Sequence, residues 1–277
     1  MNDTTQITVG GSELAVYDRG SNNSGGGSPI VFVHGFPLDH TMWRAQLEAF
    51  APTHRVIAPD LRGFGESPVR DGIATMEQMA DDLVALLDAL SVRQPVVLCG
   101  LSMGGYVAIE FLRKYAPRVR ALILCDTRSA ADTPETAANR HKTAELALSQ
   151  GAAPVAEAML PRLAAPDARA RQRTVVESLK QTMLATDPRT IAAALRGMAA
   201  RSDSTPRLAS IRVPTLVVVG QYDAITPVAE MRQMAKAIPH ARFVVIPDAG
   251  HMAPMENPAA VNQAIAALLA ELSSPSP

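Results

Sequence analysis

Few residues in this chain combine the type and the position that covalent chemistry needs. Ser102 lies in Gly100-Leu101-Ser102-Met103-Gly104, directly after the apolar run Val96-Val97-Leu98-Cys99. Met103, Val107, Phe111 and Tyr115 then recur at four-residue spacing, so a helix begins at once. A serine at such a strand-to-helix turn holds its hydroxyl above a helix N-terminus whose N–H groups are unpaired. Gly100 and Gly104 lack Cβ atoms and let strand and helix approach closely there. The same five-residue pattern also occurs in glycine-rich turns with an incidental serine. The flanking strand and helix, and the partners that follow, favour the nucleophile.

A serine hydroxyl is a poor nucleophile at neutral pH and needs a base beside it. The base needs a third group to fix its tautomer and stabilise its charged form. The histidines are His34, His40, His54, His141, His240 and His251. His251 follows the last apolar run on a glycine turn and is the candidate base. His240 precedes that run, at the opposite edge. His34 also follows a strand, but its place before Gly35 and Phe36 suits a structural side chain bonding nearby backbone. A tight turn there aims the Phe36 N–H at the site. With the Met103 N–H it would hold a developing oxyanion, at roughly 3–4 kcal/mol per donor. Two acids compete for the third role: Asp223, after the strand at 215–219, and Asp126, after the strand at 119–125. The order Ser102…Asp223…His251 favours Asp223. Asp126 then reads as a hinge, paired with Arg128.

These residues need elements that present them together. Short apolar runs at 30–33, 56–58, 96–99, 119–125, 215–219 and 243–246 read as buried strands, with two more at 6–9 and 13–18. Helical faces lie between them: Met42, Trp43, Leu47 and Phe50; then Met76, Met79, Ala80, Leu83, Leu87 and Leu90, opened by Thr75 and Gln78 at capping-box spacing. Thr226 and Pro227 read as N-cap and first residue of another helix. Asn257 and Pro258 open the last, with Val261, Ile265 and Leu268 buried. Strands alternating with amphipathic helices make an α/β fold, its mainly parallel eight-stranded sheet covered on both faces. Ligand sites in such sheets lie at the carboxyl ends of the strands. His34, Ser102, Asp126, Asp223 and His251 all fall there.

The segment at 130–207 differs. It is rich in alanine and arginine, punctuated by prolines, and holds no strand-like run and no Phe, Tyr or Trp. It reads as several short helices forming a cap inserted in a core made of 1–129 and 208–277. Its Met159, Leu160, Leu163, Met183, Leu184, Leu195 and Met198 offer a soft aliphatic roof. Ile225 and Met252 are candidate pocket walls. An inward cap arginine, from Arg128, Arg140 or Arg162, would select an acidic substrate.

Composition bounds the rest. The chain has 277 residues, 47% hydrophobic and 19% charged, with net charge −1. That gives no electrostatic case for nucleic acid or an anionic membrane. Met1 to Gln6 lacks the basic and apolar regions of a signal peptide, and no apolar run reaches a membrane span of roughly 18 residues. The expected location is cytoplasmic. Cys99 and Cys125 end buried strands and read as thiols. Zinc-like spacing is absent, so no metal is expected, and a Ser-His-Asp triad needs no cofactor. The glycine-rich stretch 20–29 reads as a flexible connection, and 273–277 as a frayed tail. Oligomeric state is not readable.

His34-Gly35-Phe36-Pro37, Asp60-Leu61-Arg62-Gly63-Phe64-Gly65-Glu66-Ser67, Gly100 to Gly105, Gly220 to Asp223 and Gly250-His251 together resemble the α/β-hydrolase superfamily. The nearest subgroups are small carboxylesterases, 3-oxoadipate enol-lactonases and cofactor-free perhydrolases. The resemblance implies Ser102 as nucleophile, Asp223 as acid, His251 as base, and Phe36 and Met103 as oxyanion hole. Asp60 to Ser67 is then a structural turn. The expected activity is hydrolysis of a small carboxylic ester through an acyl-enzyme. Lactone hydrolysis is the alternative, followed by carbon–carbon hydrolysis, perhydrolysis or a non-catalytic ligand-binding module.

Overall fold

The computed structural model describes residues 4–20, 27–166 and 172–273. Residues 21–26 of the expected flexible connection and 274–277 of the expected frayed tail lie outside that set, as do 1–3 and 167–171.

Eight strands form one sheet: β1 (Thr5–Val9), β2 (Ser12–Arg19), β3 (Ile30–Val33), β4 (Val56–Pro59), β5 (Val96–Leu101), β6 (Val119–Cys125), β7 (Thr215–Gly220) and β8 (Arg242–Ile246). Their order is β1-β2-β4-β3-β5-β6-β7-β8. β1 and β2 pair antiparallel, and β2 meets β4 the same way. From β4 to β8 every neighbouring pair is parallel. The expected eight-stranded, mainly parallel α/β sheet is therefore present.

Both faces are buried, which is why the central strands are apolar without alternation. Val31, Val33, Leu98, Leu122, Leu124, Val217 and Val219 point to one face. There they meet α2 (Met76–Ala89), α3 (Met103–Tyr115) and α8 (Val228–Ala237), through Met79, Leu83, Val107, Phe111 and Met231. Ile30, Phe32, Val97, Cys99, Ile123, Leu216 and Val218 point to the other. They pack on α1 (Arg44–Phe50) and α10 (Pro258–Ser273), through Leu47, Phe50, Val261, Ile265 and Leu268. Each large side chain buried this way contributes about 1.5–3 kcal/mol. Cys99 and Cys125 are buried and free. The Thr75–Gln78 capping box forms, with both reciprocal hydrogen bonds.

Between β6 and β7 lie α4 (Pro134–Gln150), α5 (Ala153–Leu163), α6 (Arg173–Ala185) and α7 (Pro188–Ala199). Pro134, Pro154 and Pro188 sit in first turns, where a missing N–H costs nothing. Arg140 and Arg201 converge on Asp132, and Arg201 also lies over the Tyr106 ring at 4.3 Å, tying this segment to α3. Thr186 donates to Pro37 O at 3.0 Å, fastening it to the turn after β3. Among the described residues no helix is long and apolar enough to cross a membrane.

Candidate active site

Ser102 sits between β5 and α3 with φ 53° and ψ −114°, a conformation costing about 1–3 kcal/mol that persists only when its surroundings impose it. Three contacts impose it here. The Ser102 N–H donates to Cys125 O at 3.0 Å, and Ser102 O accepts from Thr127 Oγ1 at 2.7 Å. Gly104 lies so near the end of β3 that a Cβ there would fall 2.2 Å from Val33 O. The helix N-terminus is thereby pressed against the turn after β3. In that turn a Cβ on Gly35 would meet Leu101 Cδ2 at 2.7 Å and Ser102 Cβ at 3.5 Å. The next residue is Phe36. Neither its N–H nor that of Met103 donates a hydrogen bond among the described residues.

His251 and Asp223 come together as a buried pair. His251 Nδ1 lies 2.9 Å from Asp223 Oδ2. Asp223 is an acceptor, so the proton resides on Nδ1 and Nε2 carries the free lone pair. Asp223 Oδ1 also accepts from the N–H groups of Ile225 at 2.7 Å and Thr226 at 2.9 Å. Thr226 Oγ1 donates to Oδ2 at 2.5 Å. Burial pushes the Asp223 carboxyl up, but the His251 and Thr226 donors outweigh it and hold it below the usual carboxylate range. No hydrogen bond joins Ser102 to His251 among the described residues. Such contacts are often long before substrate arrives.

Several expectations need correction. Thr226 does not cap α8; its hydroxyl is occupied by Asp223, and α8 starts at Val228 with Pro227 before it. Asp126 is not paired with Arg128. That guanidinium pairs instead with Glu230 and the Ile225 carbonyl. Asp126 is instead fully buried and accepts from the Gly220 N–H at 2.7 Å. Leu184 is 43% exposed, and Leu195 and Met198 belong to the cluster on the other face of the sheet, their helix packing mainly on α4. Met159, Leu160, Leu163 and Met183 do share a cluster with Met252 and Ile225.

His34 is structural, as expected. Its Nδ1 donates to Gly35 O and its Nε2 accepts from the Leu61 N–H, both at 2.9 Å. Burial, chiefly, lowers its affinity for a second proton. Asp60 also serves the fold, accepting from the His40 N–H, the His40 ring and the Glu66 N–H. Among the described residues, two groups bring three possible metal ligands within 4.8 Å of one another: Asp39, His40 and Asp60, and Asp126, Asp223 and His251. In the first, Asp39 is occupied capping the turn at Thr41 and Asp60 by His40. The second is the Asp223–His251 pair with Asp126 beside it.

A sequence profile described as "alpha/beta hydrolase fold" matches residues 28–258. The chain belongs to the α/β-hydrolase family. As an α/β-hydrolase it is similar to 3-oxoadipate enol-lactonase 2 of Acinetobacter baylyi, at 29% identity over 87% of this chain and 88% of that one. Among solved structures, a thermophilic esterase from Thermogutta terrifontis superposes with a TM-score of 0.93 at 49% identity, covering 98% of this chain and 99% of that one. The enol-lactonase from Burkholderia xenovorans LB400 gives 0.88 at 30% identity, covering 96% and 100%.

One residue of this α/β-hydrolase site escaped the sequence reading. Glu256, at the end of α9 (Ala253–Glu256), is buried and brackets His251. Its Oε1 accepts from the Gly250 N–H at 2.9 Å and the Met252 N–H at 3.2 Å, and its Oε2 from the Ala165 N–H at 2.7 Å. It fixes the histidine loop and the end of α5 at once. Burial raises its carboxyl above the usual range, against the pull of those N–H groups. An acid five residues after a histidine carries no signal of this, because its donors come from two distant segments.

Proposed function

We propose that this α/β-hydrolase is a serine hydrolase cleaving small carboxylic esters. The observation that carries this reading is the buried Asp223–His251 hydrogen bond at 2.9 Å, on the sheet edge where β5 presents Ser102. Ser102 Oγ attacks the ester carbonyl carbon while His251 Nε2 takes its proton. Asp223 keeps the imidazole in the right tautomer and stabilises its charged form. The Phe36 and Met103 N–H groups receive the oxyanion. His251 then returns the proton to the departing alkoxide, leaving an acyl-Ser102 ester. Water, deprotonated by His251, attacks the acyl carbon, and His251 returns that proton to Ser102 Oγ as the acid leaves. No cofactor takes part, and the working location is the cytoplasm.

Substrate class follows from the lining. Met159, Leu160, Leu163 and Met183 share a buried cluster with Ile225 and Met252, and these largely aliphatic side chains, beside the Phe36 ring at the oxyanion turn, form the pocket wall of this reading. Such walls discriminate by only about 1–3 kcal/mol per methylene. An acidic lactone would call for an inward cation. Arg128 is engaged by Glu230, Arg140 by Asp132, and Arg162 is exposed. The 49% likeness to an esterase supports the same choice. Lactone hydrolysis is the second reading, favoured by the two enol-lactonase relatives. The test is kcat/KM for nitrophenyl acetate, butyrate and octanoate beside a carboxylate-bearing lactone. Short esters should lead, with activity falling as chains lengthen. A preference of roughly several hundredfold for the lactone, beyond what a methylene or two in a wall could give, would replace the ester reading.

A further inference from the structure

The ester chemistry leaves one buried carboxyl beside the site unused. Asp126 follows β6 in the left-handed region, at φ 46°, and its N–H donates to Val218 O at 2.9 Å. Its side chain is walled in: Oδ1 accepts from the Gly220 N–H at 2.7 Å, while Oδ2 is buried with no hydrogen-bond partner among the described residues. Asp126, Asp223 and His251 each place an atom within 4.8 Å of the other two.

An ionised carboxylate only accepts hydrogen bonds. Two of them here would bring carboxylate oxygens within 4.8 Å of each other, and Oδ2 would have no donor among the described residues. A proton on Oδ2 removes both penalties together. The groups around it offer no alternative. From β6 comes the Cys125 thiol, from the end of β7 the Gly220 N–H and Asp223, and from the loop after β8 His251. The nearest arginine in sequence, Arg128, is turned to Glu230. Burial first, then the Asp223 charge, pushes the Asp126 carboxyl well above its ordinary range, whereas Asp223 is held low.

We propose that Asp126 rests as a neutral carboxylic acid that donates its Oδ2 hydrogen to the Asp223 carboxylate and so positions the Asp223–His251 pair. The proposal rests on the serine-hydrolase reading for its functional consequence. A donor on Asp223 draws off part of its negative charge and weakens its hold on a protonated His251. The base then stays available at lower pH. Asp126 is a positioning residue: it acts through Asp223.

Two variants and one spectrum test this. Asp126→Asn keeps an acceptor for Gly220 and a neutral donor for Asp223; Asp126→Leu keeps neither. In kcat/KM against pH, the acid limb of Asp126→Asn should coincide with that of the unaltered protein. That of Asp126→Leu should move to higher pH. An infrared spectrum at neutral pH should show a buried carboxylic-acid C=O band that disappears in Asp126→Asn. The proposal fails if the Asn variant's acid limb drops by about one unit or more, as loss of a neighbouring negative charge would cause. It also fails if the Asn and Leu limbs coincide, or if the band is missing. Should the Leu variant not fold, the Asn limb and the band decide. The band needs no turnover, so its presence in a protein without esterase activity would sink the functional reading and leave the protonated Asp126 standing.

Discussion

At Asp223 the account comes down to single atoms. Asp223 Oδ2 holds the His251 Nδ1 proton, whereas Asp126 makes no hydrogen bond to His251 among the described residues and takes the Gly220 N–H on Oδ1. Asp223→Asn presents an amide that favours the wrong histidine tautomer, so kcat should fall roughly 10⁴-fold. Asp126→Asn should cost less than tenfold, the ordinary size of a modest loss in positioning. Steady-state ester hydrolysis checks both, and a reversal would move the acid to the end of β6. Ser102→Ala and His251→Ala should each remove nearly all turnover, and their combination should be scarcely worse than either alone. If the losses multiplied instead, the two side chains would not share one mechanism.

Among the elements, what the sequence showed was local. The Ser102 turn was legible because an apolar strand, a glycine and a helical stripe follow in one continuous stretch. His251 was legible because it lies on the glycine turn that follows the last strand. Thr226 misled because a hydroxyl before a proline is an ordinary helix start, and only the arrival of Asp223 diverts it. Glu256 was illegible because its three donors converge only in the folded chain. Its importance is testable. Glu256→Gln puts an amide N–H against at least one buried backbone N–H, at a cost of about 1–3 kcal/mol for each donor left unpaired. The variant should melt several degrees lower and lose kcat, because the His251 loop loosens. Unchanged melting and turnover would show that the Glu256 bracket holds nothing in place.

For the whole molecule, stability should track the Asp60–His40 ion pair at the end of β4. Asp60 is buried, but its bonds to His40 lower its carboxyl below the usual range, while the same contacts outweigh burial and raise His40. A depressed acid contributes stability above its unfolded value, near 4, and loses it as pH falls through the lower folded value. A raised histidine contributes fully below its unfolded value, near 6.5, and loses that as pH rises through the higher folded value. The Tm gap between the unaltered protein and Asp60→Asn should therefore peak between about pH 4 and 6.5 and narrow on both sides. A gap that does not vary with pH would remove the ionic part of this contact. The catalytic expectations depend on Ser102 being an activated nucleophile, which a fluorophosphonate probe followed by peptide mass spectrometry measures directly. The account predicts one stoichiometric adduct on Ser102, abolished in Ser102→Ala and strongly slowed in His251→Ala. A folded protein that takes no label, or takes it at another residue, would contradict the account and favour a ligand-binding module on this fold.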